Sequence, residues 1–123
     1  IGITFIDRAS GKRAFYAPGL GDWTEPVLQE AELADVVLID GTLWKDNELA
    51  DRGAAQKTGV EMGHLAQTGE GGMLDRLTPL TARKILIHIN NTNPILDEAS
   101  PERAKLTAAG IEVAFDGMEI DLA

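Results

Sequence analysis

The chain has 123 residues, which is enough for one modest domain with its own hydrophobic core. Its net charge of -9 argues against a nucleic-acid partner, because nothing could neutralise a row of phosphates, and it disfavours docking onto an anionic membrane. No apolar run approaches membrane-spanning length, and the absence of cysteine excludes disulfides and thiolate metal sites. We therefore expect a cytoplasmic protein without membrane insertion.

Two short strands are predicted at the start of the chain. Residues 1–7 and 13–17 are rich in β-branched and aromatic residues, and the polar, glycine-containing segment between them suits a hairpin. The chain opens on an apolar run without an initiator Met, which is typical of a strand that is already under way. We therefore expect a piece cut from a longer protein.

A helix and a buried strand follow the hairpin. The loop 18–22 contains proline and glycine, and Thr24 can cap a helix that has Pro26 in its first turn. Residues 36–39 form a continuous run of β-branched and aliphatic residues, which is typical of a strand that is covered on both faces. A short helix is predicted over 46–52.

The middle of the chain carries fewer structural signals. Residues 53–72 are polar and rich in glycine, which predicts an irregular segment, and a helix is expected over about 71–77. Residues 84–89 are again apolar and predict a second buried strand.

The last third predicts a helix and a hairpin. Ser100 is a favourable helix cap, with proline in the first helical position, and Gly110 ends the helix. Strands are predicted over 111–115 and 118–122, around the Asp-Gly turn at 116–117. Because strands alternate with helices, we expect a single domain of the α/β or α+β class with parallel strand pairs.

Polar side chains follow three of the predicted strands at the point where each strand ends. If these strands are parallel neighbours, their carboxyl ends meet at one edge of the sheet, where ligands bind in open α/β folds. The polar or loop-forming residues at these positions are Pro18, Gly19 and Asp22 after the first parallel strand, Asp40 after the second, and His88, Asn90 and Asn91 after the third.

His88 is the strongest candidate for a functional side chain. It ends an apolar strand and is followed by two amide side chains that could orient it or a substrate. A neutral imidazole at such a position could bind a metal or transfer protons. The alternative is a core histidine that bonds to a backbone carbonyl. Because the chain has only two histidines, it cannot build a histidine-rich metal site by itself.

Asp40 and His64 are two further candidates for catalysis. Asp40 could act as a base or orient a neighbouring ligand, although it could equally form a turn or cap the next segment. His64 lies in a glycine-rich loop that could close over a site and supply an acid or a base, and the alternative is an exposed surface histidine.

Several motifs resemble the pyrroloquinoline quinone (PQQ) biosynthesis protein B family. The main one runs from His88 to Leu96 (HINNTNPIL), and the others lie at 40–44 (DGTLW), 62–65 (MGHL), 97–103 and 116–119. They follow the order of the family along nearly the whole chain. Because this family belongs to the metallo-β-lactamase superfamily, the resemblance implies the C-terminal half of an αββα sandwich, with the N-terminal half of the fold absent from residues 1–123.

The resemblance also implies roles for individual residues. His88 corresponds to the late metal-ligand histidine of the fold, His64 to a loop histidine near the substrate, and Asn90 and Asn91 could bond the carboxylates or ring oxygens of a substrate. The first ligand motif of the superfamily is absent. Where related hydrolases carry a bridging aspartate after the strand at 13–17, this sequence reads YAPG at 16–19, and Asp22, the next acid, could partly replace the missing one. We therefore expect one divalent metal, preferably Fe(II), with zinc as the alternative.

By resemblance, the expected function is a step in PQQ biosynthesis. The parent protein would be an iron-dependent oxygenase that hydroxylates the tyrosine ring of a Glu–Tyr-derived precursor, and this chain alone would be inactive. One alternative is a carrier that delivers PQQ or its precursor toward the periplasm. Another is a metal-dependent hydrolase of the phosphodiesterase type. A homodimer is a further expectation, because half of a sandwich leaves apolar sheet uncovered.

Overall fold

The computed structural model describes residues 2–53 and 56–122. The strands are β1 (Ile3–Ile6), β2 (Arg13–Ala17), β3 (Val36–Asp40), β4 (Arg83–Ile87) and β5 (Ile111–Val113). The helices are α1 (Glu25–Leu33), α2 (Glu48–Asp51), α3 (Met73–Leu77) and α4 (Pro101–Ala108), with 3₁₀ turns at Val60–Met62 and Pro94–Leu96. In this part of the chain no helix has the length and apolar character needed to cross a membrane.

The five strands form one mixed sheet in the order β1-β2-β3-β4-β5. The pair β1–β2 is antiparallel and forms the predicted hairpin, whereas the pairs β2–β3, β3–β4 and β4–β5 are parallel. The predicted mixed class of helices and parallel strands is therefore confirmed. Since the carboxyl ends of β2, β3 and β4 lie side by side, the polar residues that follow them reach one edge of the sheet.

The main core lies between the sheet and the helices. Residues of β2 to β5 point to this side, and side chains of α1, α3 and α4 pack against them. The most buried members are Phe15, Val37, Ile39 and Leu86 from the strands and Ala31, Met73, Leu77 and Leu106 from the helices. This packing holds β3 and β4 rigidly, and the candidate site lies directly beyond their carboxyl ends.

The other face of the sheet is only partly covered. Residues 114–122 contain no strand, so the second strand of the predicted hairpin, 118–122, is wrong, although the predicted turn forms and Gly117 has φ +85°. Met118, Ile120 and Leu122 instead pack over the sheet. Their alternation with polar residues gave the strand signal, and here it serves to bury every second side chain on a sheet face.

Several strand and helix boundaries also differ from the predictions. The strand predicted over 84–89 ends at Ile87, because His88 adopts a left-handed backbone conformation with φ +57°. The predicted helix 46–52 is the single turn of α2, and the one at 71–77 begins at Met73. The predicted irregular segment 53–72 contains one 3₁₀ turn, and its residues 54–55, like residue 1 of the first predicted strand, lie outside the described residues.

The chain comes unusually close to β4 at Gly41, directly after β3. The Gly41 amide donates to the carbonyl oxygen of Ile87 at 2.7 Å. A Cβ atom at this position would lie 2.6 Å from Cδ1 of Ile89, 2.8 Å from Cβ of Leu86 and 3.1 Å from the Ile87 oxygen. Two of these atoms belong to the fixed frame of β4, so glycine is required here, and it places Thr42 beside His88.

Gly41→Ala should therefore lower the free energy of unfolding by about 1–3 kcal/mol, because the new methyl group must displace β4. Denaturant unfolding followed by circular dichroism measures the loss. The control is Gly19→Ala, whose Cβ would meet only Cε1 of His64, at 3.9 Å. Equal stability of the two variants would show that the end of β4 can move at little cost.

Candidate metal centre

Three side chains converge at the carboxyl edge of the sheet. Asp40 is the last residue of β3, His88 follows β4, and His64 comes from the loop between α2 and α3. Each offers one ligand atom, and these atoms all lie within 4.8 Å of one another. Asp40 is buried, His64 is partly buried and His88 is exposed. The structure thus brings together three of the predicted site residues, and they form a candidate site for one divalent metal ion.

The Asp40 carboxylate accepts four hydrogen bonds. Oδ2 accepts from the backbone amide of Leu20 at 2.9 Å and lies 2.7 Å from Nδ1 of His64. Oδ1 accepts from the backbone amide of Thr42 at 3.0 Å and from its hydroxyl at 2.5 Å. A carboxylate has about four lone-pair sites, so these bonds use its full capacity. This explains how a carboxylate can be completely buried here.

The tautomer of His64 follows from its contact with Asp40. A carboxylate can only accept, so the proton between the two groups lies on Nδ1 of His64. In the neutral imidazole the other nitrogen, Nε2, then keeps its lone pair. Asp40 therefore orients the His64 ring and leaves Nε2 available for a metal or a proton.

Thr42 extends this arrangement to His88. Its hydroxyl oxygen lies 2.7 Å from Nδ1 and 2.9 Å from the carbonyl oxygen of His88. The hydroxyl has a single proton, which goes to Asp40 because a bond to a charged acceptor is the stronger one. The oxygen then accepts from Nδ1–H of His88, so His88 also keeps a free lone pair on Nε2.

The backbone of His88 adopts a strained, left-handed conformation that brings its imidazole ring to the site. A positive φ is uncommon for residues other than glycine and costs on the order of 1–3 kcal/mol. It ends the extended run of β4 and turns the imidazole toward Thr42. The rings of His64 and His88 consequently stack, with centroids 5.4 Å apart and an interplanar angle of 20°.

Two neutral imidazoles fit a divalent transition metal, but they are fewer than the three protein ligands that such a site commonly has. Asp40 could bind a metal only by giving up one of its four hydrogen bonds, so its contacts suit orientation of the histidines better than coordination. Asp22, the predicted substitute for the missing acid, is exposed and is not among the three clustered residues. The described residues thus provide part of a ligand set.

Asn90 lies beside the cluster. Its backbone amide donates to the carbonyl oxygen of Thr42 at 3.1 Å, and its side-chain amide donates to the hydroxyl of Thr92 at 2.7 Å. Asn91 is exposed on the same segment. Both residues reach the predicted edge of the sheet, and their role in substrate binding stays a prediction.

Reasoning from the sequence did not identify Thr42 and Asn93 as parts of the site. The Asn93 side chain is 2% exposed and donates to the carbonyl oxygen of Gly41 at 2.9 Å and to Oε1 of Gln67 at 3.0 Å. It therefore ties the segment after β4 to the segment after β3. The only local signal was an asparagine directly before a proline, which indicates a cap, and Asn93 does accept from the Ile95 amide.

Comparison with known proteins agrees with this geometry. The family model described as "Beta-lactamase superfamily domain" matches residues 1–89. The chain therefore belongs to the β-lactamase superfamily. The match covers β1 to β4 and includes Asp40, His64 and His88.

Within the superfamily, the chain resembles coenzyme PQQ synthesis protein B. It is 60% identical to the protein of that name from Nitrosococcus oceani and 57% identical to that from Azotobacter vinelandii, over 99% of this chain and 40% of each relative. A crystal structure of Zn(2+)-bound PqqB from Methylobacterium extorquens superposes with a TM-score of 0.87 at 42% identity, over 92% of this chain and 41% of that one. The chain thus spans about two fifths of these relatives.

The hydrogen bonds of the cluster predict the tautomers of both histidines. In their neutral forms, His64 and His88 should carry the proton on Nδ1, since Asp40 and the Thr42 oxygen accept from these atoms. Long-range ¹H–¹⁵N correlation spectra of the imidazoles distinguish the two forms, and Thr42→Val should change the spectrum of His88 more than that of His64. A dominant Nε2–H form of His64 would contradict the arrangement.

Proposed function

We propose that this chain supplies the C-terminal part of the metal centre of a protein that acts in PQQ biosynthesis. The observation that carries the proposal is the 57–60% identity to PQQ synthesis protein B over 99% of the chain. The cluster of Asp40, His64 and His88 supports it, because these residues lie in the motifs that resemble this family. The N-terminal part of the longer protein would then supply the remaining metal ligands.

His88 is the proposed metal ligand of this chain. Its Nε2 lone pair is free, its ring is fixed through Thr42, and its exposure leaves room for a metal and a substrate. Iron is the preferred metal, because an iron site with open positions can activate oxygen. Zinc, which occupies a relative of this chain, has no redox chemistry of its own and would serve a carrier or a hydrolase.

His64 is the proposed acid–base residue, and Asp40 positions it. The Asp40 carboxylate holds the Nδ1 proton of His64, so Nε2 can accept a proton from a substrate and return it. Burial of Asp40 makes this orientation firm, since the carboxylate cannot turn away toward solvent. The pair resembles in its logic the aspartate–histidine pairs that assist proton transfer in other enzymes.

The proposed reaction is hydroxylation of the tyrosine ring of a Glu–Tyr-derived dipeptide precursor. One oxygen atom of O₂ enters a ring C–H bond to give C–OH, and the other leaves as water. The balance requires two electrons and two protons from an added reductant and solvent. Asn90 and Asn91 are the proposed contacts to the precursor at the edge of the sheet.

The partly covered face of the sheet suggests how the longer protein is completed. Ile3, Phe5 and Tyr16 point to this face and are 48%, 54% and 37% exposed. Aromatic and aliphatic side chains grouped in this way favour a packing partner. We propose that a second sheet of the longer protein covers them, as an αββα sandwich requires, and that a second copy of the chain is the alternative.

The test is an assay of the full-length protein with Fe(II), oxygen, a reductant and the Glu–Tyr dipeptide. Mass spectrometry should find a product with one added oxygen atom. His88→Ala should lower the activity by about 100-fold or more, because loss of a residue that only supports a metal ligand already costs about 10–100-fold. His64→Gln should lower turnover by about 10²–10⁴-fold, the range for a general acid or base.

The same protein preparations distinguish the competing functions. Tight binding of the dipeptide or of PQQ without a product would favour a carrier, and hydrolysis of a generic phosphodiester would favour a hydrolase. The hydrolase is disfavoured by the loop after β2, because residues 16–19 hold no acid that could bridge two metal ions and the Leu20 amide bonds to Asp40. Lys57→Gln, on an exposed surface position, is the control and should keep full activity.

A further inference from the structure

A second buried carboxylate lies near the candidate metal centre. Glu48, the first residue of α2, is 2% exposed. Its Oε1 accepts from the backbone amide of Trp44 at 3.0 Å, and its Oε2 accepts from the hydroxyl of Thr92 at 2.5 Å. No ion pair of Glu48 occurs among the described residues. A buried carboxylate without a cation is costly, and the metal centre itself does not use this one.

Glu48 determines the direction of a chain of hydrogen bonds. An ionised carboxylate only accepts, so the proton of the Thr92 hydroxyl is committed to Glu48. The Thr92 oxygen can then offer only lone pairs, and Asn90 must present its amide Nδ2–H to it, at 2.7 Å. Without Glu48, the hydroxyl could donate or accept, and Asn90 could present either end of its amide.

The consequence is that Asn90 keeps its carbonyl oxygen, Oδ1, for an outside partner. The residue is anchored beside the metal centre, since its backbone amide bonds to Thr42, whose hydroxyl contacts Asp40 and His88. Asn93 lies in the same segment, but its side-chain amide donates to Gly41 and Gln67 within the fold. Asn90 differs because its orientation is set while one polar atom remains available.

We infer that Asn90 is a specificity-determining residue that recognises a hydrogen-bond donor, and that Glu48 and Thr92 are positioning residues that fix this polarity. A carbonyl oxygen attracts a phenol O–H or an N–H and repels a carboxylate. The inference rests on the proposed function and deepens it. For a Glu–Tyr precursor, the donor is the hydroxyl of the tyrosine ring, and the carboxylates of the precursor bind elsewhere.

The orientation of the Asn90 side-chain amide can be measured without an activity assay. In spectra of the ¹⁵N-labelled full-length protein, the Asn90 side-chain amide should show one proton that is shifted and protected from exchange by Thr92. Glu48→Gln and Thr92→Val should remove this signature, because neither keeps the committed proton. Glu48, Thr92 and Glu102 line one cavity, which has a volume of about 430 Å³. Glu102→Gln removes a charge from the wall of this cavity and should leave the signature intact.

The recognised group is tested with two dipeptides that differ only in the phenol hydroxyl, Glu–Tyr and Glu–Phe. Calorimetry with the metal-loaded full-length protein should give a Kd for Glu–Tyr that is about tenfold lower than that for Glu–Phe. This ratio corresponds to the free energy of about one hydrogen bond. Asn90→Ala, Glu48→Gln and Thr92→Val should each reduce this ratio to about one, whereas Glu102→Gln should preserve it. Circular dichroism and Thr92→Ser, which keeps the hydroxyl, separate a loss of polarity from a loss of folding.

The inference would be overturned by equal binding of the two dipeptides to the wild type, or by a preference for Glu–Tyr that survives both Asn90→Ala and Thr92→Val. An exchange-exposed Asn90 amide in the wild type would equally refute the assigned polarity. These results differ from a failure of the proposed function. If the protein discriminates the dipeptides through Asn90 but forms no hydroxylated product, then hydroxylation fails and the inference about recognition stands.

Discussion

The buried carboxylate of Asp40 is the interaction on which the candidate metal centre depends. It gathers the Leu20 amide from the loop after β2, the amide and hydroxyl of Thr42, and Nδ1 of His64 around one point. These four donors belong to three residues on three different loops, so one side chain fixes the relative positions of these loops. Through Thr42 the same charge also sets the tautomer of His88. Loss of the carboxylate would therefore release both imidazoles, and the polar donors around it would be left buried without partners.

Two constraints of the fold make this arrangement possible. The parallel pairing of β3 with β4 places Asp40 opposite Ile87, one residue before His88. Gly41 then allows the chain to pass so close to β4 that the Thr42 hydroxyl can reach both Asp40 and His88. Glu48 acts in the same way, since this buried carboxylate, which has no ion pair within the described part of the chain, sets the direction of the hydrogen bonds among Thr92 and Asn90. In both cases an acceptor that cannot donate determines which atoms the neighbouring side chains present outward.

The sequence predicted the parts of this picture that depend on local pattern. Apolar runs located β2, β3 and β4, and the rule that ligands lie beyond the carboxyl ends of parallel strands brought Asp40 and His88 together correctly. The glycine-rich loop left His64 either at a site or on the surface, and only the resemblance favoured the site, because the irregular segment that carries His64 has no periodicity. The roles of Thr42, Glu48 and Asn93 could not be predicted, since each depends on partners between 22 and 52 positions away. The left-handed backbone of His88 and the packing of 118–122 over the sheet are likewise set by tertiary contacts, which override the extended preference of both segments.

Asp40 orients the histidines and does not itself coordinate, so the residues that the structure describes offer two free imidazole nitrogens and no complete metal site. Metal content by elemental analysis tests it most directly, on this chain and on its His88→Ala variant, after equilibration with Fe(II) or Zn²⁺ and removal of free ions by gel filtration. We expect well under one equivalent of metal on the wild-type chain, because two imidazoles alone hold an ion too weakly to survive filtration. One full equivalent that His88→Ala abolishes would contradict the account, since Asp40 or another group of this chain would then have to complete the coordination.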